Sequence, residues 1–198
     1  MSPPPTARSG RHFLVVLGLM AAAILFGEVQ SVMMGLDNRA QQIAAQSEEL
    51  SDAGLELLKG VMPGAESFAE KEGELPVFKA YRAGPESSEQ TLMGYAFLTA
   101  DMPPEEVGYS GPIEVLVGID LEGNITGIKV LFYKESIRRI WGDFLSRDGY
   151  QEQFAGKHVS DLFEIGSDVD GISRATITVR AMSREIRNSA RQVAQAYL

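Results

Sequence analysis

Two runs of residues with a period of two, joined by a turn, limit the fold more than any other feature of this chain. Residues 113–120 (IEVLVGID) and 125–133 (ITGIKVLFY) are rich in the β-branched and aromatic residues that suit strands. Between them, Asp120-Leu121-Glu122-Gly123-Asn124 supplies the Asp, Gly and Asn that close hairpin loops. An antiparallel hairpin is expected here. Residues 76–83 and 92–99 read as two further strands, connected through Gly84-Pro85-Glu86-Ser87-Ser88. From Ala175 the period changes. Ala175, Val179, Met182, Ile186, Ala190, Val193 and Tyr197 are three or four residues apart and mark one face of a C-terminal helix. Shorter helices are expected at 138–144 and 151–155. The fold class that follows is α+β, a mostly antiparallel sheet packed with helices.

The N-terminus is of another kind. Residues 13–26 read FLVVLGLMAAAILF, fourteen apolar or small residues after Arg8, Arg11 and His12. A span usually takes about 20 residues, and Val29, Val32, Met33 and Met34 lengthen the run. A cleaved signal peptide, a buried core helix and an uncleaved signal anchor compete for this segment. No small-x-small cleavage site follows it, since Gly27-Glu28-Val29-Gln30 fits poorly. The anchor is the preferred reading, with the basic flank in the cytoplasm and the acidic remainder outside. The organisation expected is a cytoplasmic tail at 1–12, a single transmembrane helix at 13–34, a juxtamembrane helix at 35–60 and a globular domain at 61–198. Leu36, Ala40, Ile43, Ala44, Leu50, Leu55 and Leu58 pattern the juxtamembrane helix, with a break near Ser51-Asp52 and an end at Gly60 and Pro63.

Charge and composition narrow the function. The net charge is −9, and the segment before Glu28 carries +2, which leaves −11 for the rest. An acidic domain argues against nucleic acid as a partner. Cysteine is absent, which excludes disulfides, thiolate catalysis and Cys-ligated clusters. With two histidines, His12 and His158, neither a His-based metal site nor a Ser-His-Asp arrangement is credible. Lys157 and His158 read as a surface pair. Asp161, Glu164, Asp168 and Asp170 read as a solvated acidic loop rather than a cation site.

The run Asp170-Gly171-Ile172-Ser173-Arg174-Ala175-Thr176 precedes the C-terminal helix. Helix N-termini carry unpaired N–H groups and the positive end of the dipole, which favour a phosphate. Ser173 is the expected N-cap, with Thr176 about one turn inside the helix. Capping alone would also explain these residues.

The same run resembles the flavinylation motif of the FMN-binding domain family. That family includes the G subunit of the Rnf electron-transport complex, the C subunit of the sodium-pumping NADH:quinone reductase and the exported domain of NosR-type proteins. The resemblance implies covalent FMN on Thr176 through a phosphoester, with Asp170, Gly171, Ser173, Arg174 and Ala175 as the surrounding motif. Arg174 stands where the Rnf-type pattern usually has glycine; it either reaches the phosphate or indicates a NosR-like branch, the reading preferred here. Gly94-Tyr95-Ala96-Phe97 and Gly108-Tyr109-Ser110-Gly111-Pro112-Ile113 resemble the GYxF…GYSGPI segment of NosR-type domains, and place Tyr109, Ser110 and Gly111 near the flavin. Glu135, in Tyr133-Lys134-Glu135-Ser136, stands where Rnf-type proteins have a glutamate-containing loop. The resemblance covers 61–197. Tyr95, Phe97, Tyr109 and Trp141 would stack on the ring or pack the core.

What the resemblance implies is an electron-carrier subunit, not a stand-alone catalyst. It sits in the bacterial inner membrane with its FMN domain on the periplasmic side. Its partners are the lipid bilayer, subunits of a membrane redox complex and an FMN transferase. In maturation the threonine oxygen attacks the flavin-proximal phosphorus of FAD and AMP leaves. The alternative is a non-redox membrane-anchored assembly or sensory module with the same fold.

Overall fold

The computed structural model describes residues 51–84, 89–136 and 138–198, apart from the side chains of Arg139 and Trp141. The tail, the anchor and most of the juxtamembrane helix lie outside the described residues. Among those described, no helix is long and apolar enough to cross a membrane. The chain divides after Asp52 into two compact units, and the sheet, the C-terminal helix and the pockets belong to the second, Ala53–Leu198.

Five strands make one sheet in sequence order, every neighbouring pair antiparallel. They are β1 (Ser67–Phe68), β2 (Phe78–Ala83), β3 (Gln90–Leu98), β4 (Ile113–Asp120) and β5 (Ile125–Tyr133). The central hairpin has the bounds its pattern predicts. Its turn is closed by Asp120, whose Oδ1 accepts from the N–H groups of Glu122 (3.0 Å) and Asn124 (2.7 Å). Gly123 there takes φ +87°, a left-handed conformation that glycine adopts without steric penalty. The strand expected from Pro76 begins at Phe78. Pro76 has no N–H to give to a ladder.

The 22-residue helix Thr176–Tyr197 covers one face of the sheet. With the helix at 51–61 as α1 and the short Arg138–Trp141 as α2, it is α3. Its predicted stripe is the buried one: Ala175, Val179, Met182, Ile186, Ala190 and Val193 are all in the core, and Tyr197 is partly buried. They pack on Tyr95, Phe97, Val115, Val117 and Ile119. Each large apolar side chain buried this way contributes about 1.5–3 kcal/mol.

The other face carries Ala80, Ala96 and Leu116 under Val61, Met62 and Ala65. Gly118 and Gly127 face each other across β4 and β5. A Cβ at Gly118 would collide with the Val61 carbonyl oxygen, so the missing side chains admit the end of α1. The Thr126 hydroxyl donates to that same carbonyl at 2.5 Å.

Ser51 and Asp52 are the first described residues and are helical; the expected break beside them borders residues outside the described ones. Two expectations are corrected. The helix expected at 138–144 divides at Gly142 (φ +69°) into α2 and a 3-10 turn, Phe144–Ser146. The piece at 151–155 is a 3-10 turn, Glu152–Phe154.

Candidate functional site

The end of α3 is built differently from the motif reading. Ala175 is the N-cap, and no side chain caps the helix. Ser173 is therefore not the cap. Thr176 is the first helical residue, not one turn inside, and it is exposed. The cause is Arg174, which takes φ +67°. That left-handed residue turns the chain so that Ala175 N–H reaches the Ile172 carbonyl (3.0 Å), and the first intrahelical bond is Val179 N–H to Ala175 (2.9 Å). Holding a residue with a Cβ there costs about 1–2 kcal/mol. This gives a backbone reason for a glycine in the same place.

A pocket of about 410 Å³ opens at this helix end. It is lined by Tyr109, Glu135, Ser136, Arg174, Ala175, Thr176, Ile177 and Thr178. Three separate segments thus converge on Thr176. Tyr109 comes from a tight turn closed by Gly108 N–H to the Gly111 carbonyl (2.8 Å) and a bridge between Val107 and Pro112. Tyr109 is 66% exposed and Ile177 55%. Glu135 follows β5 and is buried; its carboxylate accepts a hydrogen bond from the Thr178 hydroxyl. The Tyr109 N–H points at the same hydroxyl oxygen (3.5 Å).

The remaining motif residues stand outside this pocket. Asp170 is exposed, and its N–H donates to the Gln153 side chain (2.6 Å). Gly171 and Ser173 line a neighbouring depression with Arg147 and Ile172. Ser110 and Gly111 shape the Tyr109 turn without lining the pocket. Tyr95 and Phe97 are core residues, and the Tyr95 ring lies 5.2 Å from that of Tyr197. Sequence reading missed Ser136, Ile177 and Thr178 as lining residues. Thr178 carried one signal, a polar residue two positions past the motif and one before the apolar Val179.

The acidic loop is internally engaged. Burial pushes the Asp168 pKa up, but hydrogen bonds from the Glu164 and Phe163 N–H groups and from Lys157 outweigh it and hold the group below the ordinary carboxylate range. Among the described residues no group of His, Asp or Glu is arranged to hold a metal ion. His158 contacts the Glu122 carbonyl (3.1 Å) and the Ser160 hydroxyl (2.7 Å). A larger cavity, about 790 Å³, lies between α1, β5 and residues 146–155 and contains no residue of the motif.

Residues 108–191 match the FMN-binding domain family. Over that segment the chain is similar to the family. All eight residues lining the pocket at Thr176 fall within the matched segment. The chain is similar to the G subunit of an ion-translocating oxidoreductase complex from Pseudomonas aeruginosa, 27% identical over 190 residues, 87% of each chain. It is 29% identical over 201 residues to a protein of the same name from Cereibacter sphaeroides, covering 91% of this chain and 85% of the relative. A third, from Vibrio atlanticus, is 33% identical over 95 residues, 44% and 46% of the two chains.

The pocket suits the group this family binds. Its volume lies within the range of small-molecule sites, about 300–1,000 Å³. The helix end lacks a side-chain cap, which leaves backbone N–H groups for an anion. Arg174 lines it beside the apolar surfaces of Tyr109 and Ile177.

Proposed function

We propose that this chain is a membrane-anchored electron-transfer subunit whose FMN is joined to Thr176 by a phosphoester. The observation that carries the reading is the Thr176 hydroxyl. It is exposed on the first residue of an uncapped helix, and it opens onto a pocket formed wholly within the FMN-binding segment. When bound, FMN supplies the electron-accepting and electron-donating chemistry. The chain's residues would hold it. The N–H groups at the start of α3 and the Arg174 guanidinium offset phosphate charge. Tyr109 and Ile177 offer apolar surface. Glu135, fixed by Thr178, sets a carboxyl group at the pocket wall. Asp170, Gly171, Ser173, Ser110 and Gly111 act through the backbone course of the two turns.

The relatives are named as subunits of an ion-translocating oxidoreductase complex. On that likeness the chain works within a membrane redox complex of the Rnf type, anchored through 13–34 with its flavin domain on the periplasmic side. Arg174 favoured a NosR-like branch. The names of the relatives favour the Rnf side, and the left-handed backbone shows that position 174 constrains conformation as well as chemistry. An FMN transferase would be the maturation partner.

The test is mass and colour. The full chain, coexpressed with a matching transferase, is expected to weigh one FMN moiety more than its sequence and to fluoresce on a denaturing gel. Thr176→Val is expected to remove both signals. An unmodified mass in the wild-type chain rejects the linkage, and a colourless chain that still copurifies with membrane partners points to a non-redox module.

A further inference from the structure

Glu185 is buried in the middle of α3 at 1% exposure, yet it does not line the pocket at Thr176. A carboxyl is among the most costly groups to bury unpaired. Its Oε2 accepts from the Glu106 N–H at 2.5 Å, while its Oε1 has no partner among the described residues. Glu106 begins the segment that turns at Gly108 and presents Tyr109 to the pocket. Seven residues earlier on α3, about two helical turns away on the same face, Thr178 faces the Tyr109 N–H. Two side chains of one helix thus hold the two ends of one short segment.

We infer that Glu185 is a positioning residue, holding the turn that carries Tyr109 against α3 and so setting the shape of the pocket at Thr176. Its reach to the flavin rests on the reading of Thr176 given above. The surroundings of Glu185 make this hold sensitive to pH. Burial, the largest cause, raises its pKa to about 7; the Glu106 N–H lowers it, and the charges of Glu106 and Glu105 raise it further. The charged groups that act on it from the 99–106 segment are Glu105 and Glu106. Glu106 is paired with Arg184 on the same helix (3.0 Å). Asn188 also donates to Glu106 (3.4 Å). Ionisation of Glu185 changes a neutral hydrogen bond into a charge-assisted one, roughly twice as strong.

The experiment has two arms, each run on the full chain as wild type, Glu185→Gln and Glu185→Leu. In the first, amide hydrogen exchange is measured on the flavin-free Thr176→Val background. Glu185→Leu is expected to lose at least tenfold protection at Glu106 and Tyr109 with β3–β5 unchanged. Glu185→Gln, which keeps an acceptor, is expected to retain most of it. In the second, the visible absorption of the flavin-loaded chain is followed against pH. A spectral change with a midpoint near 7 is expected in wild type and not in Glu185→Gln. Unchanged protection at Glu106 and Tyr109, or a loss spread evenly over the sheet, would overturn the inference and make Glu185 a packing residue. Spectra that are identical in all three chains would remove the pocket from its reach. A wild-type chain without flavin would reject the Thr176 reading instead, and the first arm would still decide whether Glu185 holds the turn.

Discussion

Two of the glycine-containing turns of this domain, 120–124 and 107–112, are closed by opposite means. The 120–124 turn is held mainly by itself: Asp120 accepts from two backbone N–H groups within it, and the Asn124 side chain donates to the same carboxylate. The 107–112 turn has one internal bond of its own and is otherwise tied to α3. Glu106 reaches Glu185, 79 positions on, and Tyr109 reaches Thr178, 69 positions on. The first turn is a hairpin connector. The second exposes Val107 and Tyr109, at 60% and 66%, and lines the pocket. A turn held from a distance takes its geometry from the helix that carries Thr176. That dependence makes it suited to a site and leaves it harder to read from sequence.

The largest effect that would sharpen this contrast is in pH. With a folded pKa near 7 against an ordinary value of 4.5, Glu185 keeps its proton in the native state while the unfolded chain has lost it. Stability from this group is therefore greatest at low pH. It falls as pH rises from 4.5 to 7, by on the order of 3 kcal/mol, and is flat above. Denaturant unfolding across that window is expected to show the slope in wild type and its loss in Glu185→Gln. Other carboxylates, Asp168 among them, run the other way at lower pH, so the difference between the two chains is the quantity to read.

Asp120→Ala comes next. It removes the oxygens that close the self-contained turn and is expected to cost about 1–3 kcal/mol with no change in flavin content. Arg174→Gly relieves the left-handed residue and is expected to raise stability by about 0.5–1 kcal/mol, with flavin still attached. A destabilised glycine variant would mean that the Arg174 side chain stabilises the fold more than its backbone strains it. Tyr109→Ala is the smallest. It is expected to change stability by under about 0.5 kcal/mol, as exposed positions do, while shifting the flavin spectrum. An Asp120 variant with altered flavin, or a Tyr109 variant that unfolds the domain, would break the contrast.

What was legible in the sequence follows the same division. Strands β4 and β5 and the buried stripe of α3 were readable because burial, side-chain period and local turn chemistry agree there. The start of α3 was not. Ser173 has the right residue type for a cap, but a positive φ at Arg174 moves the helix start to Thr176, and no local pattern marks an arginine for that conformation. Glu185 lies between Arg184 and Ile186 and is not one of the apolar residues that mark the buried stripe. Its burial is decided by the 99–106 segment, which meets α3 only in the folded chain. Glu135 and Thr178 are the same case, polar residues 43 positions apart that become partners once β5 and α3 are in place.

The central claim is the bond at Thr176. Peptide mapping by mass spectrometry of the full chain, coexpressed with a matching transferase, tests it most directly. The expected result is a fragment containing Thr176 heavier by one FMN moiety, with fragment ions that put the added mass on that residue. An unmodified Thr176 fragment, or the same added mass on Thr178 or Ser173, would contradict it.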